Sequence, residues 1–121
     1  MKYCEICGRE AKEHHIVKRK PAPFMVNTKI NIKHLCYEHH RTGKDAPYNN
    51  YKKDIEYKLE LQKKLFELFD KDSYEVKEIQ KILGISSDEV NSLVKTLKLH
   101  KEGYDKLDIV LRCMGGRLYS K

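Results

Sequence analysis

Two pairs of metal-ligand residues lie far apart in the chain. Cys4 and Cys7 form a C-x-x-C pair followed by Gly8, and Cys36 and His39 form a C-x-x-H pair. Two intervening residues let one tight turn present two ligands, and three thiolates with one imidazole are a typical tetrahedral set for Zn²⁺. The spacing predicts a zinc site, and the alternative is a set of incidental thiols. Because three thiolates outweigh the charge of the dication, we expect a structural ion.

The chain has 121 residues, of which 40% are hydrophobic, which indicates a folded protein with one ordinary domain or two very small ones. No apolar stretch approaches the ~20 residues of a membrane span, and the first residues do not resemble a signal peptide. We therefore expect a cytoplasmic protein, in a bacterial host cell. In such a reducing compartment disulfides are rare, so paired cysteines indicate metal ligands rather than disulfide bonds. Cys113, alone on an apolar helix face, is predicted to be a core residue.

The positive charge is concentrated near the N-terminus. The chain carries a formal net charge of +7, and residues 1–50 include the run Lys18, Arg19 and Lys20. A basic surface of this kind suits a polyanion such as nucleic acid, and these three side chains are candidates for phosphate contacts. The alternative is an ordinary solvated loop.

The elements that must position these residues are predicted in two groups. Residues 1–50 are rich in Cys and His, with two short strands at 15–17 and 30–35. Residues 51–70 have the spacing of an amphipathic helix. Its apolar face consists of Ile55, Leu59, Leu61, Leu65, Phe66, Leu68 and Phe69. That face either packs within the chain or joins two copies of it.

Residues 71–121 show a helical pattern of their own. A short helix over residues 76–83 ends at Gly84, and Ser86 with Glu89 forms a capping box for a second helix over residues 87–99. A third short helix opens at Asp105. Helix, tight turn and helix predict a helix-turn-helix module, so we divide the chain into domains 1–70 and 71–121. Lys95 and Lys98 are its candidate DNA contacts. The alternative is a small helical domain that packs on the first or binds a protein.

Three of the five histidines outside the zinc site need a further explanation: His14, His15 and His40. The order C-x-x-C, His-His-Ile, Asn-Ile-x-x-Leu-Cys-x-x-His-His resembles the HNH nucleases over about residues 1–70. The resemblance implies a small ββα-metal zinc-knuckle nuclease domain, and with the helix-turn-helix-like module that follows it we expect an α+β chain. It also implies a metal-dependent DNA endonuclease, encoded by a phage or mobile element.

The resemblance further implies a role for each matching residue. His15 matches the general base that deprotonates the attacking water. His14 and His40 match the ligands of a catalytic divalent ion, and Asn31 matches the residue that holds the loop carrying the base. Cys4, Cys7, Cys36 and His39 match the structural zinc site of the family. His14 stands where Asp is commoner, and since imidazole favours softer ions than Mg²⁺, we expect Mn²⁺, Ni²⁺ or Co²⁺ to serve as well.

Two questions stay open at this point. One ββα-metal site serves one strand at a time, so cutting both strands calls for two copies, and the face of residues 51–70 is then the candidate homodimer interface. The alternative function is a non-enzymatic zinc-finger and helix-turn-helix DNA-binding regulator. Such a regulator needs the four zinc ligands but has no use for His14, His15 and His40 around a second ion.

Overall fold

The N-terminal half is built on a β-hairpin with a long connection. A computed structural model describes residues 2–120 and has an α+β architecture. Strands β1 (Lys12–His15) and β2 (Ile32–Leu35) pair antiparallel, so that His14 lies opposite Lys33. A single π-helical turn, Glu38–Thr42, follows β2, and helix α1 spans Tyr51–Leu68. The α+β class predicted from the sequence is confirmed.

Both strands are displaced from their predicted positions. β1 covers residues 12–15 rather than 15–17, because Ile16 and Val17 leave the ladder and enter the core, where they are 2% and 3% exposed. The backbone N–H of Ile16 donates to the Asn31 carbonyl over 2.9 Å. β2 starts at Ile32 because Lys29–Asn31 form a 3₁₀ turn. The apolar run at residues 16–17 thus indicated burial and not a strand.

Helix α1 matches its predicted position but not its whole predicted face. Asn50 caps it, accepting a hydrogen bond from the Lys53 N–H over 3.1 Å. Leu61 and Leu65 are fully buried, whereas Leu68 is 42% exposed. α1 packs on the C-terminal helix of the same chain, and a homodimer through this face stays a prediction. No helix within residues 2–120 is long and apolar enough to cross a membrane.

The C-terminal half combines three short helices with a small sheet. The elements are β3 (Ser73–Tyr74), α2 (Val76–Leu83), α3 (Ser87–Val94), β4 (Leu99–His100), β5 (Gly103–Asp105) and α4 (Lys106–Cys113). The three strands form an antiparallel sheet in the order β3-β5-β4. Ser86 and Glu89 form the predicted capping box at the start of α3. Asp105 opens α4, and its side chain accepts from the N–H groups of Leu107 and Asp108.

The second predicted helix was too long. α3 ends at Val94 and not at residue 99, because Leu99 and His100 pair with β5 in a hairpin. Strands of two or three residues are too short to show an alternation of polar and apolar side chains, so no periodic signal predicts this hairpin. Lys98 therefore lies between α3 and β4, outside any helix.

The buried side chains of both halves form one continuous apolar cluster. It includes Met25 from the long connection, Leu61 from α1, Val90 from α3 and Ile109 from α4, all at most 1% exposed. Cys113 is fully buried in the same cluster, as predicted. The domain boundary at residue 70 stays a prediction, and the helices on either side of it share a core.

Candidate metal centres and active site

The two ligand pairs predicted from the sequence come together in one cluster. Cys4 and Cys7 lie on a tight turn, Cys36 follows β2 directly, and His39 lies on the π-helical turn. The three Sγ atoms and a ring nitrogen of His39 all lie within 4.8 Å of one another. Gly8 closes the first turn with a φ of +78°, a conformation that side chains with a Cβ rarely adopt.

The separations within this cluster fit a tetrahedral ion. The Sγ atoms of Cys7 and Cys36 are 3.6 Å apart, and His39 Nδ1 lies 3.2 Å from Cys36 Sγ and 3.6 Å from Cys4 Sγ. Tetrahedral bonds of ~2.3 Å to sulfur and ~2.0 Å to nitrogen place ligand atoms ~3.5–3.8 Å apart. The Cys₃His set can therefore bind a metal ion such as zinc.

The surroundings of the cysteines favour the thiolates that a metal needs. Burial opposes ionisation of Cys4, but backbone N–H groups, first that of Cys36, donate to its sulfur and lower its pKa to about 6. The backbone and then the side chain of Arg9 lower the pKa of Cys7. Arg9 Nε lies 3.3 Å from Cys7 Sγ, and its Nη2 donates to Glu38 over 2.9 Å. Arg9 thus supports the cluster from its solvent-exposed side, a role that was not predicted from the sequence.

A second cluster contains two of the histidines outside this set. The rings of His14 on β1 and His40 on the π-helical turn meet edge to face, with their centroids 4.9 Å apart. His14 is only 2% exposed, and neither of its ring nitrogens has a hydrogen-bond partner within residues 2–120. Buried polar atoms are costly when unpaired, and an ordered water or a bound ion is the usual partner of such nitrogens.

Both rings are neutral near pH 7. Burial, followed by the charge of Lys18, lowers the pKa of His14 to about 3. Burial and then Arg41 lower the pKa of His40. A neutral imidazole has a free nitrogen lone pair for an ion. In the described chain, only the Cys₃His set joins three or more ligands, and the second cluster supplies two.

His15 points to a different partner from its neighbour. Its Nε2 atom lies 2.9 Å from the backbone oxygen of Val26 in the long connection. A carbonyl oxygen only accepts hydrogen bonds, so Nε2 carries the proton and donates it to that oxygen. In the neutral ring this bond leaves the lone pair on Nδ1, which is the form that a general base requires.

Asn31 holds the long connection between the two strands. It is fully buried, its Oδ1 accepts from the Val17 N–H over 2.8 Å, and its Nδ2 donates to the carbonyls of Val17 (3.1 Å) and Met25 (3.0 Å). These bonds fix both ends of the segment that follows His15 and precedes Val26. The three hydrogen bonds of Asn31 therefore keep the connection between β1 and β2 in place.

Cations gather beside the second cluster. The pKa of Lys18 is lowered, first by partial burial and then by Lys58 and Arg41, against the opposing effect of Asp54. Arg41 also lies over the Tyr48 ring at 4.6 Å and went unnoticed in the sequence. Its position next to His40 was the available signal.

The remaining predicted phosphate contacts are exposed. Arg19 and Lys20 follow Lys18 on the surface of the long connection, and Lys95 and Lys98 are exposed after the end of α3. No described contact links these four residues to the histidines, so their roles stay predictions.

Comparison with protein-family models, curated proteins and solved structures gives no match for this chain.

Proposed function

We propose that this protein is a metal-dependent DNA endonuclease that hydrolyses phosphodiester bonds. The observation that carries the proposal is the contact of the His14 and His40 rings, with both nitrogens of His14 buried and lacking a hydrogen-bond partner among the described residues. A structural core offers no reason to bury an unpaired imidazole against a second one. The elements around this pair follow the order strand β1, strand β2 and π-helical turn. This order also supports the proposal, because the HNH resemblance predicts two strands and then a helix for a ββα-metal site.

Each histidine has a distinct task in this proposal. His14 and His40 would hold a divalent ion such as Mg²⁺, Mn²⁺ or Ni²⁺, which would offset negative charge on the phosphate. His15 accepts a proton from water through Nδ1, while its Nε2 remains bonded to Val26. The water oxygen then bonds to phosphorus, the bond to the 3′ oxygen breaks, and that oxygen takes a proton from solvent. The products carry 5′-phosphate and 3′-hydroxyl ends.

The nearby cations position the substrate. Arg41 follows His40 directly in the chain, and burial together with the charge of Lys18 lowers the pKa of both His14 and His40. Phosphate contacts of such cations fix register without reading sequence. Arg19 and Lys20 extend the same surface along the connection. The Cys₃His set, with zinc bound, joins the knuckle to the turn that carries His40 and so acts structurally.

Residues 71–120 form a helix-turn-helix-like module in this proposal. Helices α2 and α3 are joined by a short turn, and the β4–β5 hairpin follows at the end of α3. Lys95 and Lys98 lie between the helix and the hairpin, both exposed, where they suit the DNA backbone. The acidic start of α3, with Asp88 and Glu89, favours contact through its C-terminal end.

Cleavage of supercoiled plasmid tests the proposal. The zinc-loaded protein is incubated with plasmid and Mg²⁺, Mn²⁺ or Ni²⁺, and nicked and linear products are separated by electrophoresis. We expect cleavage by the wild type and by His100→Ala, a matched control at an exposed histidine, but not by His15→Ala. If the wild type binds DNA but does not cleave it with any of these ions, the endonuclease proposal is wrong. The non-enzymatic DNA-binding regulator is then favoured.

A further inference from the structure

A groove lies directly beside the second histidine cluster. His40 and Arg41 form one wall, and Ala11, Leu35 and Tyr37 contribute apolar surface. Its volume of about 560 Å³ is in the range of ~300–1,000 Å³ typical of sites for small ligands. It opens next to the ring that we assign to the catalytic ion, so whatever occupies it lies next to the scissile phosphate.

Two exposed tyrosines flank this groove. Tyr37 lines it and is 70% exposed, and Tyr48, 64% exposed, lies under the Arg41 guanidinium. An exposed aromatic ring gains nothing from the core, whereas nucleobases stack on such rings with little regard to sequence. Tyrosine and arginine side by side are the combination that surfaces for unpaired bases use.

The charges divide the surface into two parts. Glu10, Lys12 and Glu13 line the groove on the side of β1. The two carboxylates outnumber the one ammonium there, and they repel phosphate but accept hydrogen bonds from the exocyclic amino groups of bases. Arg41 lines the groove beside His40, and burial together with the charge of Lys18 lowers the pKa of both His14 and His40, so both cations attract phosphate at this end. A nucleotide therefore fits in one orientation, with its base in the groove and its phosphate at the histidines.

We propose that this groove binds an unpaired base next to the cleaved bond, so that the preferred substrate is single-stranded DNA or duplex DNA with an unpaired segment. The substrate class rests on the proposed endonuclease function. A base within a duplex reaches the groove only after it has been unpaired and unstacked, which costs free energy. A fully paired duplex of the same sequence therefore binds more weakly at this site.

Fluorescence anisotropy tests the groove without cleavage. The zinc-loaded protein, with no other divalent ion added, is titrated into a labelled single strand of twelve nucleotides and into its blunt duplex. We expect the single strand to bind more tightly. Tyr37→Ala should weaken single-strand binding about 5- to 100-fold and change duplex binding little, whereas Tyr37→Phe, which keeps the ring, should bind like the wild type.

Tyr51→Ala is the matched control, because Tyr51 is 68% exposed and does not line the groove. Circular dichroism melts and zinc content confirm that each variant is folded. The inference is wrong if the duplex binds as tightly as the single strand, or if Tyr51→Ala weakens single-strand binding as much as Tyr37→Ala. If the wild type nicks plasmid but fails this test, the endonuclease proposal stands and only the groove assignment falls. If the test succeeds without plasmid cleavage, the groove stands as a site for DNA.

Discussion

Replacing Asn31 with alanine should loosen the connection that positions His15. The Asn31 side chain makes three hydrogen bonds, one from the Val17 N–H and two to the carbonyls of Val17 and Met25. All three lie in a part of the molecule from which water is excluded, since Asn31 itself is fully buried. Alanine removes the partners but leaves the backbone groups in place.

The size of the effect follows from those bonds. Each hydrogen bond contributes about 1 kcal/mol to the free energy of unfolding, and backbone groups left buried without partners add to the loss. Three bonds therefore give a loss of about 3 kcal/mol. For a domain of this length the corresponding fall in Tm is about 10 °C. Asn27→Ala is the control, because Asn27 is exposed and makes one bond of 3.3 Å to Glu89.

The assay is urea unfolding of the zinc-loaded protein followed by far-UV circular dichroism. We expect Asn31→Ala to lose about 3 kcal/mol and Asn27→Ala to stay within about 0.5 kcal/mol of the wild type. Asn31→Ala should also cleave plasmid more slowly, since the Val26 carbonyl no longer holds His15 in one orientation. A stability equal to that of Asn27→Ala would refute the view that Asn31 fastens the connection.

Three further predictions concern the metal sites and the core. Cys36→Ser or removal of zinc by a chelator should unfold the N-terminal half, whereas His15→Ala should stay folded and inactive; equal thermal stabilities for the two variants would contradict this division. Arg9→Gln should weaken zinc binding about tenfold in competition with a chromogenic chelator, and Lys12→Gln, a change at another exposed cation, should not; equal affinities would exclude a supporting role for Arg9. Burial raises the pKa of Cys113 to about 12, so only ~0.01% of this thiol is ionised at pH 8 and it should resist alkylation until the protein unfolds. Peptide mapping by mass spectrometry checks this, and labelling of Cys113 in the native protein would show that α4 opens.

Residue spacing predicted the parts of the molecule that depend on local chemistry. The two ligand pairs met as expected, because x-x spacing already fixes two ligands on one turn. The capping box of Ser86 and Glu89 and the cap at Asp105 formed where the sequence indicated, since both bonds span only a few residues.

Features that depend on distant contacts were not visible in the sequence. The β4–β5 hairpin is too short to show a period, and the π-helical turn is closed by Gly43, where a Cβ would lie 2.7 Å from the Glu38 carbonyl oxygen. Tyr57 on α1 is 6% exposed and lies near His14. It was missing from the predicted apolar face of residues 51–70, because that face was counted from aliphatic residues and Phe only. Arg41 gained its place beside the histidines only when the turn folded back on β1.

Helix α3 packs against the 3₁₀ turn Pro23–Met25, and the next residue, Val26, holds the ring of His15. Helix α3 therefore supports the segment that holds the proposed general base, in addition to its proposed contact with DNA. A fragment cut after α1 would lose this support. A partner that tilts α3 would therefore shift the Pro23–Met25 turn, and with it the Val26 carbonyl that holds the His15 imidazole.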